Sequence, residues 1–290
     1  MELSFTKMEA TGNDYLFFDG LEKELPPLPW DEVARSLSHR HFGVGSDGII
    51  LMRPGHKPGL LRMEMYNADG SRGKICGNGL RSFALLAHQR GYTQEHLVVE
   101  TDAGDVKVEV LAPEEAAVHL GQPRLDPASV PTLLPATRQT ALGPAVLQAP
   151  LEVLGEILPV SSLSMGNPHV VLFLEDAPHL PSRLEDIPLS LLGPALAAET
   201  FFPEGANAEV VKVLSPEKIR LRVWERGSGE TLSCGSGAAA AAAAAILLGH
   251  GRSPVAVEVP GGLLEVIWDD EVILRGPARE VFQGKVNWPL

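Results

Sequence analysis

Residues 232–249 read LSCGSGAAAAAAAAILLG. Eight consecutive alanines invite a reading as low-complexity filler. However, the run continues into Ile246, Leu247 and Leu248 and stops at Gly249, a residue suited to ending a helix. Alanine has the highest helix propensity and lets neighbouring strands approach closely. The stretch therefore predicts an apolar helix over about Gly237–Gly249, packed inside a sheet-rich domain, with Cys234 directly before it.

The chain has only two cysteines, and the other, Cys76, lies 158 residues upstream in ICGNGLRSFALLA. Aligned on the thiols, both segments show alternating apolar residues, an aromatic ten positions upstream (Tyr66, Trp224), a Gly/Ser-rich turn, C-G-x-G, and an apolar helix former. A second pair, TGNDYLFF with Asn13 and MGNPHVVLF with Asn167, is offset by 154 residues. A third and weaker pair, GVGSDGIILM near Asp47 and EGANAEVVKVL near Asn207, is offset by 160. Landmarks repeated in order at a nearly constant spacing indicate two homologous halves. Residues 1–122 would carry Cys76, with 277–290 returning to them as a strand. Residues 123–276 would carry Cys234, and the proline-rich segment Pro123–Pro150 would join the halves.

Period-two or continuous apolar stretches predict strands at Leu97–Glu100, Val106–Val110, Val170–Leu174, Ile219–Val223, Val255–Val259 and Val272–Leu274. Helices are expected at about Gly79–Arg90 and Gly237–Gly249, with shorter ones at Trp30–Ser38 and Leu189–Glu199. The fold class is α+β: two pseudo-twofold halves, each a sheet or barrel wrapped around a central helix, with the active site in the cleft between them.

Bulk properties narrow the function. Hydrophobic residues make up 44% of 290, enough for real cores. A formal charge of −13 argues against nucleic acid or an anionic membrane as partner. The N-terminus lacks a basic stretch followed by an apolar core, and no apolar run reaches bilayer-spanning length. A cytoplasmic setting is expected, where a structural disulfide is disfavoured. Two thiols alone cannot complete a tetrahedral zinc site.

Other motifs are weaker. Gly43, Gly45 and Gly48 match G-x-G-x-x-G, but a helical pattern precedes and a strand-like IILMR follows, the reverse of a dinucleotide fingerprint. His39 and His41 read as an exposed helix end rather than metal ligands. Lys7 and the other lysines show no pyridoxal-phosphate context.

A cysteine before a helix sits at the positive end of the dipole among unpaired N–H groups. That favours thiolate, and the same N–H groups can bind a carboxylate that the glycines allow to come close. One such cysteine alone reads better as a buried structural residue, but the duplicated device tips the balance to function. Two thiols on opposite faces of an α-carbon could remove its proton from one side and return one to the other, inverting the centre. Charge would develop on the carboxylate, where two helix N-termini donate hydrogen bonds.

KMEATGNDYLFFDG, GVGSDGIIL, YNADGSRGKICGNGLR, GNPHVV and WERGSGETLSCGSGA together resemble the diaminopimelate epimerase family, in the family's order and across nearly the whole chain. The resemblance implies interconversion of LL- and meso-diaminopimelate without pyridoxal phosphate, metal or other cofactor, in lysine and cell-wall precursor synthesis, and possible homodimers. It implies that Cys76 and Cys234 are the acid/base pair. Gly77, Asn78, Gly235 and Ser236 would bind the carboxylate at the reacting centre. Asn13, Asn67, Asn167, Asn207, Glu225 and Arg226 would hold the rest of the substrate, with His169 near the thiols. Turns, caps and a Glu225–Arg226 surface ion pair are the plainer readings of those residues. Two departures stand out: Glu9-Ala10-Thr11 where the family commonly has His-Gly-Leu, and Gly48 where it often has glutamine. The nearest alternative is another racemase of the same architecture, for proline, hydroxyproline or histidine. A phenazine-type isomerase would not need both thiols. A thiol redox switch would use a reversible disulfide as its working state.

Overall fold

A computed structural model describes residues 1–289. They form two compact units. The first is Met1–His119 with the chain from Arg275 onward, and the second is Leu120–Leu274.

In the first unit Glu2–Ala10 pairs antiparallel with Asn13–Asp19 and, on its other side, with Arg279–Asn287. Asn13–Asp19 runs parallel to Gly48–Pro54, and the crossover carries helix α1, Trp30–Ser38. Gly48–Pro54 pairs antiparallel with Leu61–Asn67, which runs parallel to His96–Thr101. That second crossover carries helix α2, Gly77–Gln89. Gly104–Ala112 then returns antiparallel to His96–Thr101. Helix α1 buries Trp30, Val33, Ala34 and Leu37, a single i, i+3, i+4, i+7 stripe. Helix α2 buries nearly all its length and packs on Glu2–Ala10, Asn13–Asp19 and Gly104–Ala112.

The second unit repeats this connectivity. Glu156–Ser164 and Pro168–Phe173 form an antiparallel pair. A crossover with helix α3, Leu189–Leu196, leads to the parallel strand Asn207–Ser215. Lys218–Glu225 returns antiparallel. A crossover with helix α4, Gly235–Leu248, leads to the parallel strand Val255–Val259 and its antiparallel neighbour Gly262–Trp268. All eight alanines of α4 are fully buried, and the helix packs against all six of these strands. Helix α4 ends on Gly249, whose φ of 77° lies in the left-handed region.

Three sequence expectations change. The proline-rich segment is no simple joiner: Gly143–Val153 pairs with Glu156–Ser164 and Arg138–Thr140, and Leu125, Val130 and Val146 are buried in the second unit. Its prolines fit between turns and an irregular strand, with a bulge between Val146 and Ala149. Helix α3 stops at Leu196 rather than Glu199. The third landmark pair shifts by one residue. Tyr15 lies opposite Gly48, and His169 lies opposite Asn207. With Asn13 equivalent to Asn167, Asn207 is the counterpart of Gly48, not of Asp47.

Among the described residues, no helix is long and apolar enough to cross a membrane. Gly43, Gly45 and Gly48 do lie between a helix and a strand, and His39 and His41 are exposed just past α1. Lys7 pairs with Asp14 at 2.7 Å.

Candidate active site

Both cysteines occupy the N-cap of a central helix. Cys76 has extended backbone angles, and its sulfur accepts from Gly79 N–H at 3.3 Å. Cys234 does the same with Gly237 N–H at 3.4 Å. Each cap thus satisfies one of the first-turn donors that a helix leaves unpaired. Gly77 and Asn78, and likewise Gly235 and Ser236, form the first turns beside them, with their N–H groups at the positive end of the dipole.

Around Cys76 the chain assembles a polar cluster. Asn13 Oδ1 lies 3.5 Å from the sulfur and accepts from Asn78 Nδ2 at 3.3 Å. Asn13 Nδ2 donates to Asp47 at 2.7 Å, and Arg40 grips Asp47 and Asp14. Tyr15, almost fully buried, directs its hydroxyl at the sulfur from 3.6 Å. Arg81 is wholly buried and donates to Asn78 Oδ1 at 3.0 Å and to Thr11 Oγ1 at 3.4 Å. Burial pulls its guanidinium down to about 10, against the attraction of Cys76 and Glu9. That attraction is mutual, so the cation favours negative charge on the sulfur. Asn67 ends its strand and donates to Ser71 Oγ at 2.9 Å, the turn role expected of an asparagine there.

Around Cys234 the charge is of opposite sign. Asn207 Nδ2 lies 3.7 Å from the sulfur and Ser236 Oγ 3.5 Å. Asn207 Oδ1 accepts from Arg226 N–H at 2.9 Å. Glu225 accepts from Thr231 and from the Cys234 thiol, and burial raises its carboxyl above the usual range. His169 and Glu209 are both fully buried and joined at 2.7 Å through Nδ1, while Nε2 meets Asn167 Oδ1 at 3.0 Å. Glu209 thereby fixes the ring that holds Asn167. Glu225 and Arg226 make no ion pair with each other. Arg226 is exposed and reaches the carbonyl of Glu204.

The expectation that a helix N-terminus lowers both thiols fails at Cys234. Burial, then the Glu225 and Glu209 carboxylates, push its thiol well above the ordinary value, outweighing Ser236 and the Gly237 N–H.

The sequence reading missed Arg81, Glu209, Tyr15 and Asp47. Two of them carried a signal. Arg81 is the one charge in GLRSFALLA, and Glu209 the one charge in NAEVVKV before Lys212. A charge inside an apolar run is rarely buried without a role. Gly237 belongs to the same cluster: a methyl on it would lie 2.5 Å from Glu209 Oε1.

A family model for diaminopimelate epimerase matches residues 5–125 and again 161–281. A diaminopimelate epimerase of Desulfovibrio desulfuricans is 38% identical over 292 residues, spanning 98% of both chains. One from a Synechococcus species is 40% identical over 287 residues, 97% of each chain. Among solved structures, a probable proline racemase from Agrobacterium radiobacter superposes with a TM-score of 0.70 at 13% identity, covering 99% of this chain and 93% of that one. A phenazine biosynthesis protein of the PhzF family from Bacillus anthracis gives 0.64 at 15%, covering 99% of each. At such identities the structural likeness is one of fold alone.

Proposed function

This chain belongs to the diaminopimelate epimerase family, and we propose that it interconverts LL- and meso-diaminopimelate by a two-base proton transfer between Cys76 and Cys234. The observation that carries this reading is the matched pair of cysteine N-caps, one per homologous unit. Relatives of 38–40% identity over almost the entire chain favour diaminopimelate over proline.

Inversion requires the two sulfurs to reach opposite faces of one α-carbon. A thiolate takes the α-proton, forming S–H as C–H breaks, and the electron pair passes into the carboxylate. The second thiol then gives its proton to the opposite face and is left as thiolate. The reverse reaction exchanges the roles. Negative charge on the carboxylate is stabilised by N–H groups of Gly77, Asn78, Gly235 and Ser236 at the two helix starts. Cys234 rests protonated, since burial, Glu225 and Glu209 all oppose its thiolate. Arg81 behind Cys76 favours negative charge on that sulfur, which suits Cys76 to the thiolate role.

The remaining groups bind substrate. Glu225 suits the reacting ammonium, and the exposed Arg226 fork suits the distal carboxylate. Asn13, Asn67, Asn167 and Asn207 hold the distal amino-acid end, with Asn13 oriented by Asp47 and Asn167 by His169. A cytoplasmic setting and a homodimer belong to the same proposal.

The test is incubation of LL-diaminopimelate in deuterated, reducing buffer. The meso isomer should form with deuterium at the inverted carbon. No turnover, with turnover of proline instead, overturns the substrate. Cys76→Ala and Cys234→Ala should each abolish epimerisation, and full activity in either defeats the two-base reading.

A further inference from the structure

We propose that the Tyr15 hydroxyl is a hydrogen-bond donor to the Cys76 sulfur, standing in for the side chain that position 48 lacks, and that it holds this sulfur as thiolate. The inference rests on the reading of Cys76 as one of the two acid/base groups.

The internal repeat supplies the comparison. In the second unit, His169 lies opposite Asn207 across the parallel strands, and Asn207 presents Nδ2 to Cys234 from 3.7 Å. The equivalent pair in the first unit is Tyr15 and Gly48. Glycine there has nothing to donate, and it cannot be enlarged in place. A Cβ on Gly48 would lie 2.2 Å from the Tyr66 carbonyl oxygen and 3.0 Å from Tyr15 Cε1. The bare position leaves the Tyr15 ring its seat, and from that seat the hydroxyl comes within 3.6 Å of the sulfur. The donor has moved from one member of the cross-strand pair to the other. It also accounts for the glutamine-to-glycine departure noted at residue 48.

Arg81 from α2 is the cation facing this sulfur and also feels Glu9 from the first strand, while Asp47 acts through Asn13. Arg81 supplies attraction but makes its hydrogen bonds to Asn78, Thr11 and Pro277. Asn13 faces the sulfur with an acceptor, which suits a thiol. Gly79 N–H and Tyr15 O–H both donate to the sulfur, and the Tyr15 donor can be removed without touching the backbone. A hydrogen bond to the charged form stabilises that form.

The experiment uses the full chain with Cys234→Ala, so that Cys76 is the one thiol, and follows its alkylation by iodoacetamide against pH. Adding Tyr15→Phe keeps the ring and removes the donor. The midpoint of the pH profile should rise by about one unit, leaving about tenfold less thiolate below it. The midpoint decides, because the raw rate is partly offset by the greater nucleophilicity of a more basic thiolate. An unchanged or lowered midpoint overturns the proposal. Site-specific 3-fluorotyrosine at residue 15, a stronger donor, should move the midpoint down, and this decides the matter if Tyr15→Phe does not fold. No downward movement also refutes it. Turnover of LL-diaminopimelate is read separately on the chain with both cysteines. Intact turnover with an unmoved midpoint sinks only the role of Tyr15, and a moved midpoint without turnover sinks only the substrate.

Discussion

Gly237→Ala sets two physical effects against each other. Helix propensity favours alanine over glycine by ~1 kcal/mol in a helix interior and by less in the first turn, where Gly237 sits. The packing says the opposite. The new Cβ would lie 2.5 Å from Glu209 Oε1, 3.2 Å from its Cδ and 3.3 Å from Cys234 Cβ. Ordinary contact needs the carboxylate to retreat by roughly 1 Å. Glu209 has no solvent to retreat into, and its Oε1 is the atom that His169 Nδ1 holds at 2.7 Å. Overpacking costs ~1–3 kcal/mol, and weakening a buried charged hydrogen bond adds ~1–3 kcal/mol. After the propensity gain, the net loss should be roughly 2–4 kcal/mol. Urea denaturation of the two proteins measures it through the midpoint at constant slope. Glu209→Asp withdraws the carboxylate by one methylene and destabilises the wild-type chain. In the Gly237→Ala background it should cost much less or even help, and a double-mutant cycle reads this as coupling. If Gly237→Ala is as stable as the parent or more stable, the glycine is not there to make room for Glu209.

Two further predictions concern charge. With Cys76→Ala leaving Cys234 as the one thiol, Glu225→Gln should speed its alkylation at pH 7 by roughly threefold to tenfold. The change replaces a repelling carboxylate that accepts from the thiol with a neutral amide that can instead donate to the sulfur. A slower or unchanged rate would show that burial alone sets this thiol. Asp14 provides a pH test of the first unit. Burial pushes its carboxyl up, but hydrogen bonds and attraction from Arg40 and Lys7 outweigh this and hold it below the ordinary aspartate range. A carboxyl lower in the folded than in the unfolded state adds stability above the unfolded value, and that contribution is lost as pH falls through the folded one. Asp14→Asn should therefore cost stability at pH 7 and flatten the stability profile below about pH 4, measured by urea midpoints across pH. An acid limb as steep as that of the parent would refute it.

The parts of this fold that a sequence can state are those written in local chemistry. C-G-x-G before an apolar helix gave both caps, because a residue before a helix and the glycines after it are read within one turn. The alanine run gave a buried helix, because a helix apolar on every side has nowhere else to go. Long-range pairing is not written locally. The proline-rich segment looks like a joiner until Gly143–Val153 is seen paired with Glu156–Ser164. The register of the parallel strands is set by crossovers of tens of residues, so Asn207 was aligned to Asp47 when the pairing aligns it to Gly48. Tyr15 was hidden for the same reason: its distance to Cys76 is a property of the crossover, not of their separation of 61 positions in sequence.

That hidden layer matters to the chemistry. A duplicated device gives two equal thiols, and two equal thiols are the wrong starting point for inversion, which needs one proton on the pair and not two or none. The repeat itself cannot break the tie, since it places a cysteine, glycines and a helix dipole identically in each half. What breaks it lies outside the repeated motif. Arg81 stands behind Cys76, and at the corresponding end of α4 there is alanine instead. Glu209 and Glu225 stand beside Cys234, while their counterparts in the first unit, Ile50 and Asn67, are uncharged. In the mechanism we propose, duplication supplies two acid/base groups of one kind, and divergence of their surroundings sets one as base and the other as acid.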